Sequence, residues 1–313
     1  MTEKTDVNAN FLNSDWWETV TVEDVKAEIA KGADVNARDK EGSTPLMCAN
    51  ESKNPEVFKT LLEAGADVNA KDNEGETSLM YINDNNNPEV FKTLLEAGAY
   101  VNAKDNKGIT PLMTIAWVNQ NPEVFKTLLE AGADINAKDS DGWTSLMCAA
   151  KNNKNPEVIK TLIKAGADVN ARDKEGSTPL MYAACDVENS EIIKTLIEAG
   201  ADVNAKDNRG GTPLMEATLE MYVAWDVENT EVIKTLIEAG ADVNAKANDG
   251  FTPLMSAAFC VKNPEVVKIL LEAGADINAK DESGMTPLMW ATSYNENPEI
   301  AELLKEYIDK LKK

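Results

Sequence analysis

Histidine is missing from all 313 residues. Its absence removes Ser-His-Asp and Cys-His nucleophile pairs, H-E-x-x-H metal sites and the commonest general base. Cysteine is scarce: Cys48, Cys148, Cys185 and Cys260 are scattered with no C-x-x-C, which argues against a zinc site or a disulfide framework and for free thiols in a reducing compartment. Positive charge is also short, with 31 Lys plus Arg against 54 Asp plus Glu and a net charge of −23. Such a surface repels phosphate backbones and anionic membranes, so neither nucleic acid nor membrane is expected as a partner. No apolar run approaches the roughly 18 residues of a membrane span. The start, MTEKTDVNANFLNSDWW, has no basic segment followed by an apolar one. A cytoplasmic location is the expectation, with a secreted or periplasmic one compatible if a leader has been removed. Aromatics are only 6%, so the core must be built from Ala, Leu, Val, Ile and Met, and each aromatic is worth locating individually.

What the chain has is repetition. The string GADVNA, or a close variant, ends at Ala37, Ala70, Ala103, Ala137, Ala171, Ala205, Ala245 and Ala279, giving spacings of 33, 33, 34, 34, 34, 40 and 34. A period near 33 marks a solenoid of small helical units. In residues 39–71, DKEG supplies a turn, with Asp39 suited to bonding the turn backbone and Gly42 to positive φ, and this reads as a hairpin finger. Thr44 then sits where a hydroxyl caps a helix and Pro45 at the first helical position. Asn54-Pro55-Glu56 starts a second helix with Val57, Leu61 and Leu62 on one face, which Gly65 ends with a left-handed stop.

These residues resemble the ankyrin repeat, D-x-x-G-x-T-P-L-H-x-A-A followed by a helix ending in L-L-x-x-G-A-D-V-N-A, over nearly the whole chain, and the Asn-Pro-Glu-Val helix starts are similar to bacterial members. The resemblance implies an α fold: an ankyrin-repeat solenoid of helix-turn-helix units with β-hairpin fingers, binding other proteins along a concave face of fingers and A helices. The family pattern ends its tetrapeptide in His. Here all eight copies end in Met (47, 80, 113, 147, 181, 215, 255 and 289), which reads as a column of adaptable core side chains. Residues 1–38 form an N-terminal cap unit, with SDWW as a worn first helix, Trp16 and Trp17 shielding the core, and Glu28 where Leu61 stands later. Seven internal repeats follow over 39–280 and a C-terminal cap repeat over 281–313, so residues 1–313 read as one solenoid.

No catalytic constellation stands out, because the carboxylates recur at equivalent positions in every repeat; the chain is read as no enzyme, with a carboxylate-based enzyme only as a remote alternative. The segment DVNAKDNEG suggests a calcium loop, but aligning Gly75 with the EF-hand glycine puts Ala70 at the first ligand position, so no metal and no cofactor is expected. The Asn of each DVNA is read as tying finger backbone together. Arg38, Lys71, Lys104, Lys138, Arg172, Lys206, Lys246 and Lys280 form a basic column, expected to be neutralised by the neighbouring Asp residues or to steer an acidic partner.

Departures from the repeat point to contacts. The residue before each Thr is large and apolar at Ile109, Trp143, Phe251 and Met285. The fourth residue after Met is Trp117 or Phe259 in two repeats, and Trp225 takes that slot in the long repeat under a shifted alignment. Tyr100 replaces the Asp of GADVNA once, and Trp290 and Tyr294 occupy the last first helix. These ten residues are the candidate partner-binding site, since aromatics on an exposed face carry binding energy. A protein or peptide partner of unknown identity is expected, bound by a monomer; the alternative is an acidic scaffold or inhibitor occupying a basic cleft. The 40-residue repeat carries six additional residues, Glu216 to Met221, expected to lengthen its first helix.

Overall fold

The computed structural model describes residues 8–185, 190–219 and 230–312. Each internal repeat folds as the sequence rules direct, with a short helix A, a nine-residue helix B and a turn between repeats. Helix A begins at Pro45, Ser78, Pro111, Ser145, Pro179, Pro213, Pro253 and Pro287, directly after Thr in every case. Where Ser replaces Pro, its hydroxyl donates to a carbonyl of the preceding loop, Ser78 to Val68 and Ser145 to Ile135. Helix B begins after Asn54, Asn87, Asn121, Asn155, Asn263 and Asn297, whose side-chain oxygens accept the amide two residues on. That acceptance satisfies one of the free N–H groups of a helix start.

Among the described residues there are eighteen α-helices and no strand. The fingers are therefore turns, and their bonding explains why no ladder forms. In the first finger the Asp39 amide donates to the Ser43 carbonyl, but the Ser43 amide donates to Asp39 Oδ1 at 2.7 Å rather than to the backbone. The side chain takes the bond that would make the pair a hairpin. Gly75 shows why the fingertip must be glycine: its φ is +83°, and a Cβ there would meet Asn106 Oδ1 of the next finger at 2.7 Å.

The chain divides into two compact bodies, residues 1–153 with 160–167, and residues 154–159 with 168–313. In the N-terminal body, helix Pro111–Val118 packs on Ser145–Asn152, and Pro55–Glu63 on Pro88–Glu96. Phe58, Phe91 and Phe125 of the B helices are fully buried there. Phe11 and Trp17 are also fully buried, and the Trp17 indole donates to the Phe11 carbonyl, while Trp16 is half-buried against both rings. Glu28, where a repeat would have Leu, stays paired at the edge by accepting from Asn10 Nδ2 and Lys31 Nζ; the Lys31 bond holds its carboxyl below the usual range.

In the C-terminal body, Pro253–Cys260 packs on Pro287–Tyr294, and Ser190–Glu198 on Thr230–Glu238. Ile193, Ile233 and Val267 fill the slot that Phe holds earlier. Helix Pro298–Leu311 continues past the point where Gly would end it. Helix A of the long repeat corrects one expectation: it ends at Thr218, with Leu219 in extended backbone, so no lengthened helix runs through Glu216 to Met221. Residues 220–229 lie outside the described residues.

The methionine column is core at seven positions, none more than 4% exposed, while Met289 on helix Pro287–Tyr294 is 47% exposed. The Thr caps are weaker than expected in three repeats. At Thr44, Thr77 and Thr110 the amide of the Met bonds the Thr carbonyl, and the buried hydroxyl has no hydrogen-bond partner. From Thr144 onward the hydroxyl accepts the Met amide at 3.3 to 3.4 Å.

Candidate functional site

Within each body, successive repeats are joined by side chains that reach for main chain. Asn36 Nδ2 donates to the Gly65 carbonyl at 2.9 Å while its Oδ1 accepts the Asp67 amide at 2.8 Å. The same pair of bonds recurs at Asn69, Asn102, Asn170, Asn204 and Asn244. This asparagine thus ties one repeat to the end of the next helix B, not the finger to itself. The basic column also departs from expectation: Arg38, Lys71, Lys104, Arg172 and Lys206 each donate to the carbonyl of the next basic residue along the column. They are ties along the backbone, where pairing with Asp had been expected.

With these positions committed to the scaffold, the slots left to vary are the fingertip before Thr and the outward residues of helix A. In the N-terminal body, Trp117 rises from helix Pro111–Val118 with 42% of its surface exposed. Trp143, half-buried, stands at the next fingertip, where its amide donates to Asp139 Oδ1 at 2.8 Å. Their ring centroids are 5.7 Å apart, and the Lys151 ammonium lies 5.3 Å from the Trp143 centroid and 6.0 Å from that of Trp117. At that range a cation on a partly exposed ring stabilises by about 0.5–1 kcal/mol.

The C-terminal body holds a larger cluster. Trp290 lies 5.2 Å from Phe251, 5.6 Å from Phe259 and 5.1 Å from Tyr294, and Phe259 is 5.8 Å from Tyr294. Its indole N–H donates to Asp281 Oδ2 at 2.9 Å, while Asp281 Oδ1 accepts the Met285 amide. Phe259 and Tyr294 are exposed; Phe251 and Trp290 are half-buried.

The remaining candidates are not brought into these clusters. Ile109 and Met285 are half-buried at their fingertips. Tyr100 is the most exposed of the candidates whose surface is described. It stands in the loop after helix B, with its amide on Asn69 Oδ1 and its ring touching no other described ring. The Asp it replaces bonds the amide two residues on, as Asp34 does for Asn36. Tyrosine has no oxygen in reach for that bond and turns to solvent. Trp225 lies outside the described residues.

One slot entered the sequence reading only through Trp290, the residue directly after each Met. Tyr81 donates to Asp72 Oδ2 at 2.8 Å and pairs with Ser43 Oγ; Tyr182 donates to Asp173 Oδ2, and Trp290 does the same to Asp281. The ring in this slot therefore braces the finger nine residues upstream. The recurrence of Tyr, Tyr and Trp after Met was the signal available. Cys48 and Cys148 share the slot, and burial pushes their thiols up to about 11 and about 12, so they stay protonated and unreactive. Glu216 occupies it in the long repeat, where burial raises its carboxyl, opposed by Arg209 and aided by Asp207, and Cys185 Sγ lies 3.6 Å from its Oε2. Among the described residues, no group of three or more Cys, Asp or Glu side chains is arranged to hold a metal ion, and no helix is long and apolar enough to cross a membrane.

A family model described as ankyrin repeats (3 copies) matches residues 21–105, 79–173, 112–207, 146–247 and 220–313. The chain belongs to the ankyrin repeat family. No curated protein matches it. Ankyrin repeats are in general non-enzymatic protein–protein interaction modules. In this ankyrin protein the usual histidine column is methionine throughout, and a ring cluster stands in each body.

Proposed function

We propose that this ankyrin protein recognises a protein or peptide through the face made by its fingers and A helices, without catalysis. One observation carries the reading: large rings stand partly exposed at slots that vary between repeats, while the constant Asn of DVNA ties backbone and the constant Met fills the core at seven positions. Rings of this kind bury much area at small entropic cost on binding. Trp117 and Trp143 form one anchor, and Phe251, Phe259, Trp290 and Tyr294 the other. The four cysteines are free thiols, which fits action in a reducing compartment such as the cytoplasm.

The net charge of −23 favours a second reading, an acidic surface that fills a basic cleft of its partner. Capture of partners from the native host on the wild type and on Trp117→Ala/Trp143→Ala, followed by calorimetry of the captured partner, separates the two. Ring anchoring predicts a loss of about 2 kcal/mol or more with unchanged melting. Affinity that survives the substitutions and collapses at high salt supports the acidic surface instead.

A further inference from the structure

Each ring cluster joins a fingertip ring to rings of helix A, Trp143 to Trp117 and Phe251 to Phe259, Trp290 and Tyr294, and the two differ in ring number and in charge. In the N-terminal body, Trp117 stands four residues after Met113, Trp143 at the next fingertip, and Lys151, four after Met147, holds its ammonium over both rings. In the C-terminal body, Phe259 stands four residues after Met255, Met285 at the next fingertip, and the residue four after Met289 is Ser293. The rings are there in greater number, and among the described residues no cation stands over them.

Their surroundings suit one. Helices Pro253–Cys260 and Pro287–Tyr294, which carry three of the four rings, contain no charged residue. The adjoining fingers bear Asp249, Asp281 and Glu282; Asp249 Oδ1 accepts the Phe251 amide and its carbonyl accepts the Glu282 amide, so the two fingers are joined. Asp281 has both oxygens engaged, one of them on the Trp290 indole N–H. A carboxylate at that N–H pushes electron density into the ring and deepens the negative face that a cation meets.

We infer that the cluster of Phe251, Phe259, Trp290 and Tyr294 receives a cationic side chain of a basic peptide segment, in the position that Lys151 fills within the N-terminal cluster. This rests on the finger and helix-A face being the binding surface. Charge complementarity selects the occupant: a chain of net charge −23 concentrates basic segments near its surface, and Asp249 and Glu282, both exposed, stand beside the rings. Arginine fits better than lysine, because its planar guanidinium stacks on a ring while its edge donates to a carboxylate.

The test pans a random dodecapeptide display library against the full chain, against Phe259→Ala/Tyr294→Ala and against Trp117→Ala/Trp143→Ala. Phe259 and Tyr294 are exposed, so melting should be unchanged; if it is not, Tyr294→Ala alone replaces the double variant. The expected result is a set of peptides that are enriched on the wild type, lost on Phe259→Ala/Tyr294→Ala, and share an Arg or Lys. Resynthesis with citrulline at the Arg, or norleucine at the Lys, should weaken binding by about tenfold. Ring-dependent peptides whose neutral forms bind equally well would overturn the inference and leave the binding face standing. Basic peptides that bind the Phe259→Ala/Tyr294→Ala variant as tightly would assign them to the acidic surface and overturn it too. If no enriched peptide depends on either cluster, the inference and the binding face fall together.

Discussion

Asparagine 119 offers the most direct test of how the repeats are held together. It stands two residues before a helix-B cap and is 1% exposed. Its Nδ2 donates to the carbonyls of Asn83 at 3.0 Å and Asn85 at 2.9 Å, and its Oδ1 accepts the Asn121 amide at 2.9 Å. Its own carbonyl accepts Asn153 Nδ2, so the pattern passes on to the next repeat. Asn119→Val keeps that last bond and removes the other three. Unmade bonds at buried groups cost about 1–3 kcal/mol each. Asn85 is buried, whereas Asn83 and Asn121 are half-buried and reachable by water. Taking about 2 kcal/mol for the first and about 1 kcal/mol for each of the others gives about 4 kcal/mol. Burial of the valine methyls offsets about 1 kcal/mol, leaving a net loss of about 3 kcal/mol.

Sterics are controlled within the molecule, because the same slot holds Val261 in a later repeat, 1% exposed. A cost at residue 119 therefore reports lost polar ties, not shape. Stacked repeats need not unfold in one step, so the assay is a urea transition read together with native-state amide exchange at residues 119–121. A midpoint shift equivalent to less than about 0.5 kcal/mol, with exchange at Asn121 unchanged, would show the carbonyls re-paired or hydrated and refute the reasoning.

Two further outcomes follow from buried polar groups. Burial raises the Glu216 carboxyl, so its contribution to stability is present at low pH and lost as pH rises through the folded value; Glu216→Gln should raise the melting temperature at pH 8 and leave it unchanged at pH 4, and an equal shift at both would contradict this. Met113→His places a ring nitrogen near the unpartnered Thr110 hydroxyl and should add about 1 kcal/mol in urea denaturation at pH 8, fading below roughly pH 6.5 as the imidazole charges. Destabilisation at pH 8 would mean that the gap does not fit a histidine.

Helix starts, stops and the core were legible in the sequence because each depends on a neighbour a few residues away. Thr-Pro fixes a helix start, Gly65 at φ +94° a stop, and Val57 and Leu61, four apart on one helix face, are both fully buried. What joins repeats was not legible, because the partner atoms are main-chain carbonyls and amides about 30 residues away, which leave no residue-type signature. Asn36 could only be seen as a constant polar residue; that its amide spans to Gly65 and Asp67 is a fact of stacking. The N-x-N-P string at 85, 119, 153 and 295 did hold the ladder in view, since a helix cap needs only the second asparagine. The candidate site was legible by departure from pattern, but departure does not say where a side chain points: Trp117 and Trp143 meet, while Tyr100 stands alone.

The division between constant and variable slots has a physical cause. A helix of four to eight residues, such as Pro45–Cys48 or Pro253–Cys260, is too short to hold itself in water and needs a neighbour for every buried face. Side chains that bond main chain can supply that support whatever the neighbouring residues are, since every repeat presents the same carbonyls and amides. Asn, Arg and Lys at fixed positions therefore hold adjacent repeats in register without restricting the fingertips or the outward residues of helix A. Those slots are free to hold Ser43 in one repeat and Trp143 in another at little cost to folding. Apart from Tyr100, the large rings at these slots stand together: Trp117 against Trp143, and Phe251, Phe259 and Tyr294 around Trp290. Rings that served only to fill the core would be covered, as Phe58, Phe91 and Phe125 are on the B helices. Partial exposure at slots that vary between repeats is what a contact surface requires.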